Sequence, residues 1–138
     1  MGRLFRNHLG TFLGGFAANL GDVSVFEAEV TGLIVALEFA ASHGWDRLWL
    51  ESDSTAVVHA FHNPYVILFR FRNQWHNCAL LGINSICSHA FHEGNYCADK
   101  LANFGHSVLG TVWLDSLPPV FVLDFFRDCV GLPNYRFP

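Results

Sequence analysis

No stretch of this 138-residue sequence stays apolar for the roughly 18 positions that a bilayer-spanning helix needs. The nearest, residues 112–126, is interrupted by Asp115, Pro118, Pro119 and Asp124, so no membrane partner is expected. Positive charge is also scarce, with 8 Lys and Arg against 12 Asp and Glu and a net charge of −4. That excludes nucleic-acid binding through basic charge alone. A polyanionic ligand would need positive charge from elsewhere, and bound divalent metal is the natural source. The four cysteines, Cys78, Cys87, Cys97 and Cys129, form no C-x-x-C pair. They are too few for a disulfide scaffold and are expected as free thiols in a reducing compartment. A secretory leader is not expected either. Arg3 and Arg6 precede an apolar stretch, but Gly10, Gly14, Gly15 and Asn19 within it suit a hairpin better. An intracellular site, nuclear or cytoplasmic, is the expectation.

What is present is apolar material, 51% of the residues, enough for one core. Residues 2–7 and 11–20 read as two strands joined by a turn at His8-Leu9-Gly10. Ser24 and Glu27 form an S-x-x-E capping box, and Gly44 marks the stop of the helix they start. Residues 47–53 alternate as a strand, with Leu48 and Leu50 on one face and Trp49, Glu51 and Asp53 on the other. Ser54 or Thr55 then caps a helix over about 56–61, which Asn63-Pro64 breaks. A helix over 66–81, a strand over 83–91, a loop at 92–95 and a helix over 96–108 follow. The order ββαβααβα predicts an α/β sheet with helices on its faces. The domain is expected over 1–110. Residues 111–138 are expected to be a tail with a short amphipathic stretch near Phe121 to Val130.

Three carboxylates stand out by position. Glu29 shares a helix face with Gly32, Leu33, Ala36, Leu37 and Ala40. It either escapes to solvent in the first turns, favouring the helix dipole, or is paired or metal-bound, since an unpartnered buried charge is costly. Asp53 ends a strand, where ligands gather in open α/β sheets, or else caps the next helix. Asp99 lies early in the last long helix, a position that favours acids in any case. His89 and His92 lie upstream of it. Converging carboxylates are hard oxygen donors that suit Mg²⁺ or Mn²⁺. Cys87, His89, His92 and Cys97 offer a different donor set, for zinc, but the spacing C-x-H-x₂-H-x₄-C is no common finger pattern.

The runs VFEAEVTGLIVALEFA, LWLESDS and HAFHEGNYCADKLANF resemble, in order, the blocks of a type 1 ribonuclease H. More narrowly they resemble the plant ribonuclease H-like domains derived from non-LTR retroelement reverse transcriptases. The resemblance covers residues 2–109, and SLPPVFVLDFFRDCVGLP is similar to the usual continuation. It implies an α/β, ribonuclease H-like mixed sheet with helices on both faces. It also implies metal-dependent endonucleolytic hydrolysis of the RNA strand in RNA–DNA hybrids. By position, Glu29, Asp53 and Asp99 match the family's metal-holding carboxylates, which bind two Mg²⁺ ions, with Mn²⁺ a substitute. His89 matches the histidine that assists proton transfer, and Asn95 a substrate-contacting asparagine. His92 stands where the plant domains usually carry Arg.

The largest departure is at the start. The family opens with a central strand ending in Asp-Gly, whose aspartate touches both metals. Here no acidic residue precedes Asp22, and the sequence begins at GRLFRNHLGTFLGGF. The first, central strand is therefore expected to be missing, which would leave new sheet edges and weak or absent activity. A non-catalytic nucleic-acid-binding or protein-interaction module is the alternative.

Overall fold

The computed structural model describes residues 1–9, 11–66, 69–89, 96–116, 118–121 and 125. Their strands are β1 (Gly2–Arg6), β2 (Phe12–Ala18), β3 (Arg47–Ser52), β4 (Asn84–His89) and β5 (Thr111–Leu114). The α-helices are α1 (Val25–Ser42), α2 (Thr55–His62), α3 (Phe69–Ala79) and α4 (Tyr96–Gly105). Short 3₁₀ turns lie at Pro64–Val66 and Pro119–Phe121. This is the mixed α/β architecture expected of a ribonuclease H-like fold.

The described strands form two sheets instead of one. β1, β2 and β5 make a three-stranded sheet in the order β1-β2-β5, and β3 and β4 make a two-stranded one. The chain divides into two compact units, Met1–Val23 with Phe91–Pro138, and Ser24–Ala90.

In the first unit β1 and β2 pair antiparallel, from Gly2 opposite Ala17 to Arg6 opposite Phe12. The Asn7 side chain closes the turn, its Oδ1 accepting from the amides of Leu9 and Thr11 at 3.0 Å each. Such Asx contacts are the usual reason for Asn at a turn. Thr111–Leu114 was expected to start a tail, yet it forms β5, antiparallel to β2 with Phe16 opposite Trp113. The sequence TVWL is β-branched and aromatic, and it gains a ladder beside a strand with a free side. The core of this unit is Ala17, Leu101 and Phe121, all buried. Burying a leucine side chain such as that of Leu101 contributes about 1.5–3 kcal/mol. α4 ends at Gly105, three residues before the expected stop at 108.

In the second unit α1 starts where the capping box requires. Ser24 Oγ accepts from the Glu27 amide at 3.1 Å, and Glu27 Oε2 accepts from the Ser24 amide at 3.3 Å. Gly44 follows the helix with φ of +73°, a left-handed conformation that a side chain disfavours. The buried face of α1 comprises Val30, Gly32, Leu33, Ile34, Ala36, Leu37 and Ala40, which contains the stripe expected from the sequence. α2 is capped by Ser54, whose Oγ accepts from the Val57 amide. β3 and β4 pair in parallel, from Arg47 opposite Asn84 to Ser52 opposite His89. The helix expected over 66–81 is shorter, because a 3₁₀ turn precedes α3.

Candidate active site at the ends of β3 and β4

The site starts from the alternation of β3. Leu48 is half-buried and Leu50 and Ser52 are buried, while Arg47, Trp49 and Glu51 are exposed. A hydroxyl therefore occupies the last apolar-facing position of the strand. Ser52 is fully buried, and a buried hydroxyl costs free energy unless it is hydrogen-bonded. Its Oγ donates to Glu29 Oε2 at 3.4 Å and accepts from the Ser54 amide at 3.2 Å. One serine thus ties α1, the end of β3 and the start of α2 together.

This arrangement gives Glu29 a hydrogen-bond partner at the end of β3. The carboxylate is half-buried and bridged to a buried hydroxyl, so it is held at the sheet end instead of swinging out from the helix start. Asp53, also half-buried, follows Ser52 directly. The residue that caps α2 is Ser54, so Asp53 does not have that function. The parallel register puts His89, exposed at the end of β4, opposite Ser52. Asp53 and His89 thus stand at the carboxyl ends of two paired parallel strands, and Glu29 is hydrogen-bonded to the last residue of β3.

The strand pair itself is braced from both sides. Trp49 Nε1 donates to Ser88 Oγ at 2.7 Å across the ladder. On α2, His62 Nε2 lies 3.0 Å from the Cys87 carbonyl oxygen.

Asp99 belongs to the other compact unit, in the first turn of α4. Asn95 and His92 lie outside the described residues. The alternative zinc set includes His92, so its geometry falls outside them too. Among the described residues, no three His, Cys, Asp or Glu side chains come close enough to enclose a metal ion. Glu29, bonded to Ser52, and Asp53, which follows the end of β3, carry carboxylate oxygens, donors of the kind hard cations take.

Ser52 is a residue at the candidate site that the sequence did not single out. Its signal was available, because it shares the two-residue period of Leu48 and Leu50 and is the one polar residue on that face.

Comparison with known proteins was informative on family. A family model described as reverse transcriptase-like matches residues 1–105. An Arabidopsis thaliana protein named "Putative ribonuclease H protein" is 31% identical over 147 aligned positions, which take in 98% of this chain and 22% of that protein. The chain therefore spans about a fifth of the length of this relative. No solved structure matches the chain.

Proposed function

The chain belongs to the reverse transcriptase-like family, and on that premise we propose that it is a ribonuclease H-like nucleic-acid domain whose reaction is metal-dependent endonucleolytic cleavage of RNA in RNA–DNA hybrids. The observation that supports this reading is the placement of Asp53 and His89 at the ends of the paired strands β3 and β4, with Glu29 hydrogen-bonded to Ser52 at the end of β3.

Glu29, Asp53 and Asp99 would hold Mg²⁺, or Mn²⁺ in its place. Carboxylate oxygens fit both ions, and a chain of net charge −4 needs such cations beside a phosphate backbone. The bound ions would supply an activated water and offset charge on the cleaved phosphate. His89 is exposed at the strand end, where an imidazole can pass a proton between the reacting group and solvent. Asn95 would contact the substrate. Recognition of a hybrid would rest on groove shape and 2′-hydroxyls. The relative in Arabidopsis thaliana is in keeping with a plant lineage and the reverse transcriptase-like family with a retroelement origin, and a nuclear or cytoplasmic site fits such a substrate.

Residues 1–138 hold no carboxylate before Asp22, so the polypeptide alone is expected to cleave slowly or not at all. The test is cleavage of a labelled RNA–DNA hybrid in Mg²⁺ by wild type and Asp53→Asn. Slow production of 3′-hydroxyl and 5′-phosphate ends, abolished in the variant, supports both site and chemistry. Rapid cleavage, lost in Asp53→Asn, keeps the site but overturns the weak activity. Cleavage indifferent to Asp53→Asn overturns the site.

The alternative is a non-catalytic nucleic-acid-binding or protein-interaction module. That reading requires hybrid affinity that persists in EDTA without turnover.

A further inference from the structure

The acidic residues of this chain are unevenly spread. None occurs between Asp53 and Glu93, a span that contains α2, α3 and β4 and carries Arg70, Arg72 and five of the eight histidines. Within it, α3 has two contrasting sides. Phe71, Trp75 and Cys78, spaced four and three apart, are half-buried or buried and form the packed seam. The Trp75 ring meets Phe61 of α2 edge-on at 5.6 Å between centroids, and Cys78 Sγ lies 3.9 Å from the Ile34 carbonyl oxygen of α1.

The opposite side carries Phe69, Arg72, Asn73 and His76, at the i, i+3, i+4 and i+7 positions of one helical stripe. All four are exposed, and Phe69 is 84% exposed. The Arg72 guanidinium carbon lies 5.9 Å from the Phe69 ring centroid, so a cation and an aromatic face are presented side by side. No acidic side chain belongs to this helix. An aromatic ring left in water costs free energy, and a guanidinium beside it, on a helix without Asp or Glu, is complementary to a phosphate.

We propose that this face of α3 binds an unpaired nucleic-acid strand, with a base stacked on Phe69 and a phosphate held by Arg72, while Asn73 and His76 extend the track along the backbone. Stacking on an aromatic beside a cation is how single strands are held without sequence preference. A continuous duplex hides its base faces and could use only the phosphate half of the stripe. The surface is distinct from the ends of β3 and β4. It rests on the ribonuclease H-like reading only in that the ligand is nucleic acid.

The experiment is fluorescence anisotropy of a short labelled single strand, as RNA and as DNA, with the full chain in EDTA. Phe69→Ala/Arg72→Ala should bind at least about fivefold more weakly, and its slope of log affinity against log salt should be shallower by about 0.7 for the one phosphate contact removed. Both residues are exposed, so circular dichroism should show an unchanged fold, and Gln74→Ala, exposed on the same helix, should bind as wild type. Equal binding by wild type and the double variant overturns the proposal. So does equal affinity for an abasic strand of the same charge, or displacement by poly-glutamate as effective as by the oligonucleotide. The two readings fail separately. Single-strand binding lost in the double variant, beside no hybrid cleavage under any condition, supports this surface and removes the nuclease. Hybrid cleavage that needs Asp53, beside no single-strand binding by wild type, does the reverse.

Discussion

The Ser52 hydroxyl donates to the Glu29 carboxylate at 3.4 Å, linking a fully buried strand residue to a helix residue 23 positions earlier. The same oxygen accepts from the Ser54 amide. Ser52→Ala removes both bonds and leaves the Ser54 amide without that acceptor. We expect a loss of about 1–3 kcal/mol, read as a lower urea midpoint. A midpoint equal to wild type would show that the hydroxyl does not hold the site together.

Glu29→Gln and Asp53→Asn probe the carboxylates directly. Mn²⁺ titrated into the wild-type chain should raise its melting temperature, as any ligand of the native state does. Each substitution should shift that titration to at least about tenfold higher Mn²⁺. Ser52→Ala should do so by about tenfold as well, through the orientation of Glu29. Identical titrations for wild type and both carboxylate variants would mean that these residues hold no metal.

The close approach of α4 to the hairpin depends on Gly105. A Cβ there would come within 2.8 Å of the carbonyl oxygens of both Met1 and Ala18. Alanine is favoured over glycine in helices by up to about 1 kcal/mol, but the atoms in the way are backbone and cannot rotate aside. Overpacking costs about 1–3 kcal/mol, so Gly105→Ala should be destabilising on balance. A raised melting temperature would show that the helix end gives way easily.

Cys78 should respond to alkali. Burial, and then the negative charge of Glu38, push its thiol above the ordinary value of 9.0. The unfolded thiol therefore ionises at a lower pH than the folded one, and the unfolded state binds fewer protons in between. The resulting stability is complete below about pH 9 and declines as pH rises through the folded value. Cys78→Ala should flatten that decline in denaturant melts recorded from pH 8 upward. Equal slopes would show that the thiol does not contribute.

The local signals of the sequence are those that specify backbone at short range. Ser24 and Glu27 define the start of α1 and Gly44 its stop, because each satisfies or redirects backbone groups within a few residues. The period of two in Leu48, Leu50 and Ser52 specifies a strand buried on one face. The block order around Glu29, Asp53 and Asp99 specifies the family. Thr111–Leu114 was not legible in the same way, since a four-residue strand exists only where another strand offers it a ladder. That partner is β2, about a hundred residues earlier.

The tertiary structure alone decided what the polar groups do. Sequence spacing left Glu29 free to be a solvated helix-start acid, and it left Asp53 free to be a cap. Folding brings a buried hydroxyl to Glu29 and gives the cap to Ser54. It also sets His89 opposite Ser52, because parallel pairing fixes register between strands far apart in the chain. Periodicity reports which face a residue occupies. Only packing reports which group it meets there, since that depends on elements separated by long stretches of sequence.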